Sequence, residues 1–268
     1  MNILMLGDIC GVSGMKAIKS NLKKIIKENN IDFTVVNGEN AADSGKGITK
    51  KNVEDIINSG ADAITSGNHI WDQKEILEVI SNNNRVIRPE NLLKGQPGNG
   101  YEIFKVKDKK IAVINFIGNV FMKKSEDLFV AAQKTMNKIK LKENADFIVV
   151  DIHAEITSEK MALGHLLDGK ATIVVGTHTH VPTSDAKILQ KGTAYQTDLG
   201  MCGDYDSVIG MDKYNSIKKF TKDPTAVQHF PSVGEASLSG IIVEADKKTG
   251  LAKNIRQIIS GGFLKERN

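Results

Sequence analysis

The chain has 268 residues, 40% hydrophobic and 25% charged, with a formal net charge of +4. That length suffices for one large α/β domain with a sizeable core, and the balance is that of a globular chain, which excludes a disordered one. The positive charge is spread along the chain, without the concentrated basic stripe of a nucleic-acid binder, and no run of about 18 apolar residues offers a membrane-spanning helix.

The first apolar run, "NILML" (2–6), reads as a buried strand. It has neither a basic leader nor a small-residue cleavage site, so no signal peptide is expected. The stretch 15–29 sets Ile18, Leu22, Ile25 and Ile26 at helical spacing with lysines opposite. "DFTVV" (32–36) is a second strand, and a helix begins at Thr49 and ends at Gly60. "DAIT" (62–65) is a third strand and 72–83 a third helix. This alternation predicts a parallel sheet with right-handed crossovers. Residues 100–116 read as a hairpin turning at Asp108-Lys109, followed by a helix near 129–140. A strand (146–153), a helix (155–169) and a strand (171–176) come next, then hairpins over 185–198 and 239–258. Residues 199–236 have no clean period and are expected to form a flap beside a functional site. No repeat or linker interrupts the chain, so a single domain over 1–268 is expected. The two cysteines, Cys10 and Cys202, make no disulfide framework, which points to reduced thiols in the cytoplasm.

Several strands end in possible metal ligands. The first ends in Asp8, the second in Glu39 and Asn40, and the third in Asn68 and His69. Later strands end in His153 and in "GTHTH", with His178 and His180. A strand turns residues i and i+2 to one face, so a persisting strand would aim both of these histidines the same way. Paired imidazoles suit zinc, iron or manganese. Ligands of open α/β sheets bind beyond the carboxyl ends of the strands, where these residues fall.

The order Asp8-Ile9-Cys10, Gly38-Glu39-Asn40, Gly67-Asn68-His69, His153 and Gly176-Thr177-His178-Thr179-His180 resembles the motif series of the calcineurin-like metallophosphoesterases. Two departures, Cys10 for a histidine and Glu39 for an aspartate, together with "GDICG", "NGENAA" and "SGNHIWD", are similar to the narrower group of YmdB-like bacterial phosphodiesterases, nearly end to end. The resemblance implies an α/β fold, a four-layer αββα sandwich of mixed sheets with flanking helices. It also implies two metal ions, iron first and manganese or zinc as alternatives. Glu39 is then the bridge, with Asp8 and His180 on one metal and Asn68, His153 and His178 on the other. The first cage lacks the ligand that Cys10 displaced. Either the Asn40 amide oxygen or the Cys10 thiolate completes it, and a hard oxygen suits a phosphate-handling site better. His69 faces substrate as the catalytic residue, contacting the phosphoryl oxygen or protonating the leaving alkoxide, with Asp72 orienting its ring. Trp71, the single tryptophan, reads as a packing residue first and a base platform second. His165 and His229 stay outside the site.

The implied reaction is hydrolysis of a cyclic nucleotide, 2',3'- or 3',5'-cAMP, by metal-bound hydroxide attacking phosphorus. A phosphomonoesterase or ribonuclease with the same site is the alternative, and a metal-binding regulatory protein with little turnover is a third. The expected partner is a small phosphodiester, with neither nucleic acid nor a membrane favoured, and the expected state is a homo-oligomer.

Overall fold

The first apolar run extends well past its five-residue core. Strand β1 (Asn2–Cys10) carries through Gly7 and Asp8 to the start of helix α1 (Gly11–Glu28). The structure, a computed structural model, describes residues 1–267. Strand β2 (Phe33–Asn40), helix α2 (Lys50–Asn58), strand β3 (Ala63–Thr65) and helix α3 (Ile76–Asn82) follow. Thr49 starts α2 with a capping box: its hydroxyl accepts from the Asn52 amide, and the Asn52 side chain accepts from the Thr49 amide. Next come β4 (Val86–Ile87), β5 (Tyr101–Val106), β6 (Lys109–Ile117), α4 (Leu128–Lys138), β7 (Phe147–His153), α5 (Thr157–Leu167) and β8 (Ile173–Thr177). The chain closes with β9 (Lys187–Ile188), β10 (Ala194–Gln196), β11 (Met201–Asp204), α6 (Lys213–Phe220), β12 (Ala236–Ala245) and β13 (Ala252–Ser260).

The strands form two mixed sheets. One runs β13-β12-β11-β1-β2-β3-β4, the other β5-β6-β7-β8-β10-β9. Alternation along the strands builds the layers. Leu4, Leu6, Val36 and Ile64 pack against the apolar faces of α1, α2 and α3. On the opposite face of that sheet, Ile3, Met5, Phe33 and Val35 meet Ile111, Val113, Phe147, Val149, Ile173 and Val175 of the second sheet. The outer face of the second sheet, with Ala112, Ile114, Ile148 and Val150, is covered by α4 and α5. The result is the expected four-layer αββα sandwich, its central core lying between the sheets. No helix among the described residues is long and apolar enough to cross a membrane.

Three local expectations change. The first hairpin turns one residue early, with Lys107 at φ 56°. Strand β4, two residues long, carries too little pattern to be read in advance. The segment 199–236 is not irregular throughout: β11 pairs in parallel with β1 at Asp8–Met201 and antiparallel with β12 at Gly203–Ser237, and α6 follows. Four residues "MCGD" show no alternation, so the pairing partners on both sides make that strand.

Candidate metal centre

Period two delivers the ligand candidates. On the face between the sheets β2 reads Phe33, Val35, Asn37, Glu39, and β7 reads Phe147, Val149, Asp151, His153. Each strand begins apolar and ends polar on the same face. The neighbouring strands obey the same rule with Thr65, Asn115 and Thr177. These polar residues form a buried network across the seam. Asp151 accepts from Asn37 Nδ2 at 3.0 Å, Thr65 Oγ1 at 2.5 Å and Thr177 Oγ1 at 2.7 Å. Burial raises the Asp151 carboxyl, and the three donors act against it. Strand β1 reaches the same seam through a register shift between Leu6 and Asp8, a bulge that brings Asp8 beside His153 and His178.

The imidazoles share one arrangement. His153 Nδ1 donates to Thr177 Oγ1 at 2.9 Å, since that hydroxyl gives its own proton to Asp151. His178 Nε2 donates to Glu155 Oε2 at 2.9 Å, and His180 Nδ1 to the Ile209 carbonyl at 2.8 Å. Carboxylates and carbonyls only accept, so each ring keeps a proton on the outer nitrogen and turns the inner one to the centre. The inner nitrogens converge. His153 Nε2 lies 2.9 Å from Glu39 Oε1, 3.1 Å from Asn68 Oδ1 and 3.0 Å from His178 Nδ1. Burial disfavours charge on the His153 ring, but with no cation there Glu39 outweighs it and holds the ring protonated, up to about 9; that one inner proton cannot serve all three neighbours, whereas a cation among them can. His180 Nε2 faces the Asn40 amide at 3.0 Å, and a 180° turn of that amide presents its oxygen to the same point.

His69 is held differently from the other three imidazoles. Its backbone N–H donates to Glu39 Oε2 at 3.1 Å, and its Nδ1 to Asp72 Oδ2 at 2.7 Å. Trp71 packs on the first sheet's helical core. His165 and His229 are exposed on α5 and in the segment after α6.

The strand does not persist through the H-x-H pair. It ends at Thr177, and His178 (φ 98°) and His180 (φ 64°) both adopt left-handed backbone. That conformation is costly for non-glycine residues and needs support from its surroundings. Asp198 supplies it: Oδ2 accepts from the Thr179 N–H at 3.2 Å, the Thr179 hydroxyl at 2.8 Å and Lys160 Nζ at 2.7 Å. Lys160 and Asp198 are fully buried. Glu155, Asp151, Thr177 and the Lys160–Asp198 pair were absent from the sequence reading. Glu155, a carboxylate two residues past His153 at the same strand end, is the one with a visible signal in the sequence.

Charge and space both fit a metal. Burial raises the Asp8 carboxyl to about 6 against the pull of His153 and His180. Burial opposes ionisation of Glu39 too, but the His153 ring outweighs it and the carboxyl falls well below its usual range. Burial and the charge on His153 push His178 down to about 3. Asp8 Oδ1 is buried without any hydrogen-bond partner. Gly67 leaves the needed room, since a Cβ there would lie 2.2 Å from Glu39 Oε2 and 2.3 Å from His153 Nε2. Cys10 is buried, and burial followed by the nearby Asp8 pushes its thiol up to about 12. A surface depression of about 760 Å³ between α1 and α2 has none of these residues in its walls.

The sequence model of the family described as YmdB-like protein matches residues 4–258. The 2',3'-cyclic-nucleotide 2'-phosphodiesterase of Bacillus subtilis (strain 168) is 44% identical over 259 residues, covering 97% of each chain. The crystal structure of a phosphatase from Mycoplasma pneumoniae has a TM-score of 0.90 at 35% identity and covers 97% of this chain and 93% of that one. The NAD nucleotidase of Haemophilus influenzae shares the architecture alone, with a TM-score of 0.55 at 16% identity over 97% of this chain and 55% of that one. With its fold, its convergent imidazoles and these similarities, the chain belongs to the YmdB-like protein family.

Proposed function

We propose that this chain is a dinuclear-metal phosphodiesterase that opens the 2',3'-cyclic phosphate of a nucleotide at the 2' bond. Its relatives carry phosphodiesterase and phosphatase names, and it is a hydrolase of phosphoric diesters. The observation that carries the finer reading is the convergence of the inner imidazole nitrogens with Glu39 and the unpartnered Asp8 Oδ1. Asn68, His153 and His178 would hold one cation, Asp8, Asn40 and His180 the other, with Glu39 between them. Cys10, as a neutral thiol, is a poorer ligand than the Asn40 oxygen. Iron, manganese or zinc bound there supplies positive charge beside the phosphoryl oxygens and acidifies an attacking water. The chain's own groups do the rest. The seam network holds His153 against rotation, and Glu155 and the Ile209 carbonyl do the same for His178 and His180. His69, with Nδ1 donating to Asp72 and a second proton taken up at Nε2, would pass that proton to the departing ribose oxygen as the P–O2' bond breaks and water oxygen bonds to phosphorus, leaving a 3'-phosphomonoester and releasing the water's proton to solvent.

The test is a substrate panel on metal-loaded protein and on Glu39→Gln. The wild type is expected to turn over 2',3'-cAMP faster than 3',5'-cAMP, mononucleotides or RNA. The variant should keep its fold and lose metal together with turnover by orders of magnitude. Faster hydrolysis of a mononucleotide or RNA would favour the phosphomonoesterase or ribonuclease alternative, and wild-type turnover by Glu39→Gln would remove the metal centre from the mechanism.

A further inference from the structure

We infer that Phe121 is the platform on which the substrate's nucleobase stacks, an inference that rests on the cyclic-nucleotide reading above. Phe121 is 86% exposed, the most exposed large apolar side chain among the described residues. It also sits at φ 60°, a backbone conformation that a bulky residue adopts only when its surroundings impose it.

Asn119 closes the loop after β6 at its base: its Nδ2 donates to Ser125 Oγ at 2.9 Å and to the Glu126 carbonyl at 3.0 Å, and its Oδ1 accepts from the Leu128 N–H at 2.8 Å. Lys123 then ties the tip to the metal centre. Its Nζ donates to the Asn68 carbonyl at 2.6 Å and lies 3.6 Å from Asp72, the partner of His69. A loop fixed at both base and tip, presenting an uncovered aromatic ring two residues from its anchor on Asn68, fits a rigid contact surface.

The reaction chooses the side. A proton passing from His69 to the leaving oxygen requires the ribose at His69, so the base extends past the Asn68–His69 turn, where Lys123 holds the loop. The opposite flank, at His180, offers Ile209, which has no π-face to stack on a base. Trp71, the other aromatic of this turn, is half-buried against the core, whereas Phe121 is 86% exposed. Stacking is tolerant of base identity, because every base has a π-face.

The experiment compares Phe121→Ala and Phe121→Trp on two substrates, 2',3'-cAMP and ribose 2',3'-cyclic phosphate, which lacks a base. Phe121→Ala is expected to raise KM for 2',3'-cAMP roughly tenfold with little change in kcat, the loss of one base–aromatic stack. The base-free substrate should shift by less than about twofold, and Phe121→Trp should recover the wild-type KM. An unchanged KM, an equal loss on both substrates, or a larger loss in Ile209→Ala than in Phe121→Ala would each overturn the inference. If the wild type hydrolyses neither substrate, the cyclic-nucleotide reading itself has failed and the inference falls with it. Wild-type turnover with an indifferent Phe121→Ala defeats the inference alone.

Discussion

A single side chain decides whether the two loop histidines can face the centre. His178 and His180 lie in left-handed backbone, and Thr179 between them is held by Asp198, whose charge is met by Lys160. Removing one member of a buried ion pair leaves the other charge desolvated and unpaired. Lys160→Met is therefore expected to lower stability by about 3–5 kcal/mol in denaturant titrations. It should also weaken metal uptake, because Asp198 loses the partner that keeps it under Thr179. Full metal stoichiometry with wild-type affinity in Lys160→Met would show that the loop holds its shape without the pair. Neither residue announced itself in the sequence. Lys160 stands on a helix whose charged positions look solvated, and Asp198 lies 18 residues beyond His180.

At the scale of elements, strand ends carry the chemistry and strand starts carry the packing. Asp32, just before β2, ties three elements together at that starting end. Its Oδ2 accepts from the Asn2 N–H of β1 at 3.0 Å, and its Oδ1 from Lys107 Nζ, at the turn after β5, at 2.8 Å. Partial burial opposes its ionisation, but Lys107 and the Asn2 amide outweigh that and hold the carboxyl below its usual range. The folded protein thus favours the ionised form. The contribution is present above the unfolded pKa of about 4 and fades as pH falls through the lower folded value. Asp32→Asn should melt slightly below the wild type at pH 7, with the gap closing below about pH 4 and shrinking in high salt. A gap that persists unchanged at pH 3 would mean that the hydrogen-bond geometry matters and the charge does not.

At the scale of the molecule, the centre straddles the seam between two sheets. Asp8, Glu39, Asn40 and Asn68 come from the first sheet, His153, His178 and His180 from the second. A ligand that binds only the folded state stabilises it by mass action, here by joining the two halves. At a free metal concentration about a hundredfold above Kd the gain is about 2.7 kcal/mol. Chelator-treated protein is expected to melt several degrees lower, and added manganese, iron or zinc should restore the melting temperature. Glu39→Gln should show little of this response. A melting temperature indifferent to both chelator and metal would argue that the convergent donors hold no cation.

The α/β alternation and the strand-end residues of the candidate site were legible in the sequence by itself, because both follow from local regularities, whereas the four-layer arrangement was implied by the resemblance of the motif series alone. Period two and the helical period mark the elements, and polar residues where apolar runs stop mark the strand ends of the site. The sequence also separated Glu39 from the aspartate of the wider superfamily. Tertiary structure alone decided how those residues are held. The left-handed backbone at His178 and His180 needs Asp198 and Lys160, brought together from distant parts of the chain. β11 exists because β1 and β12 offer it hydrogen bonds on both sides. The Asp151 network exists because two sheets press polar residues of different strands into one dry seam. Hydrogen-bond partners far apart in sequence leave no periodic trace along the chain, so these supports became visible only in the folded molecule.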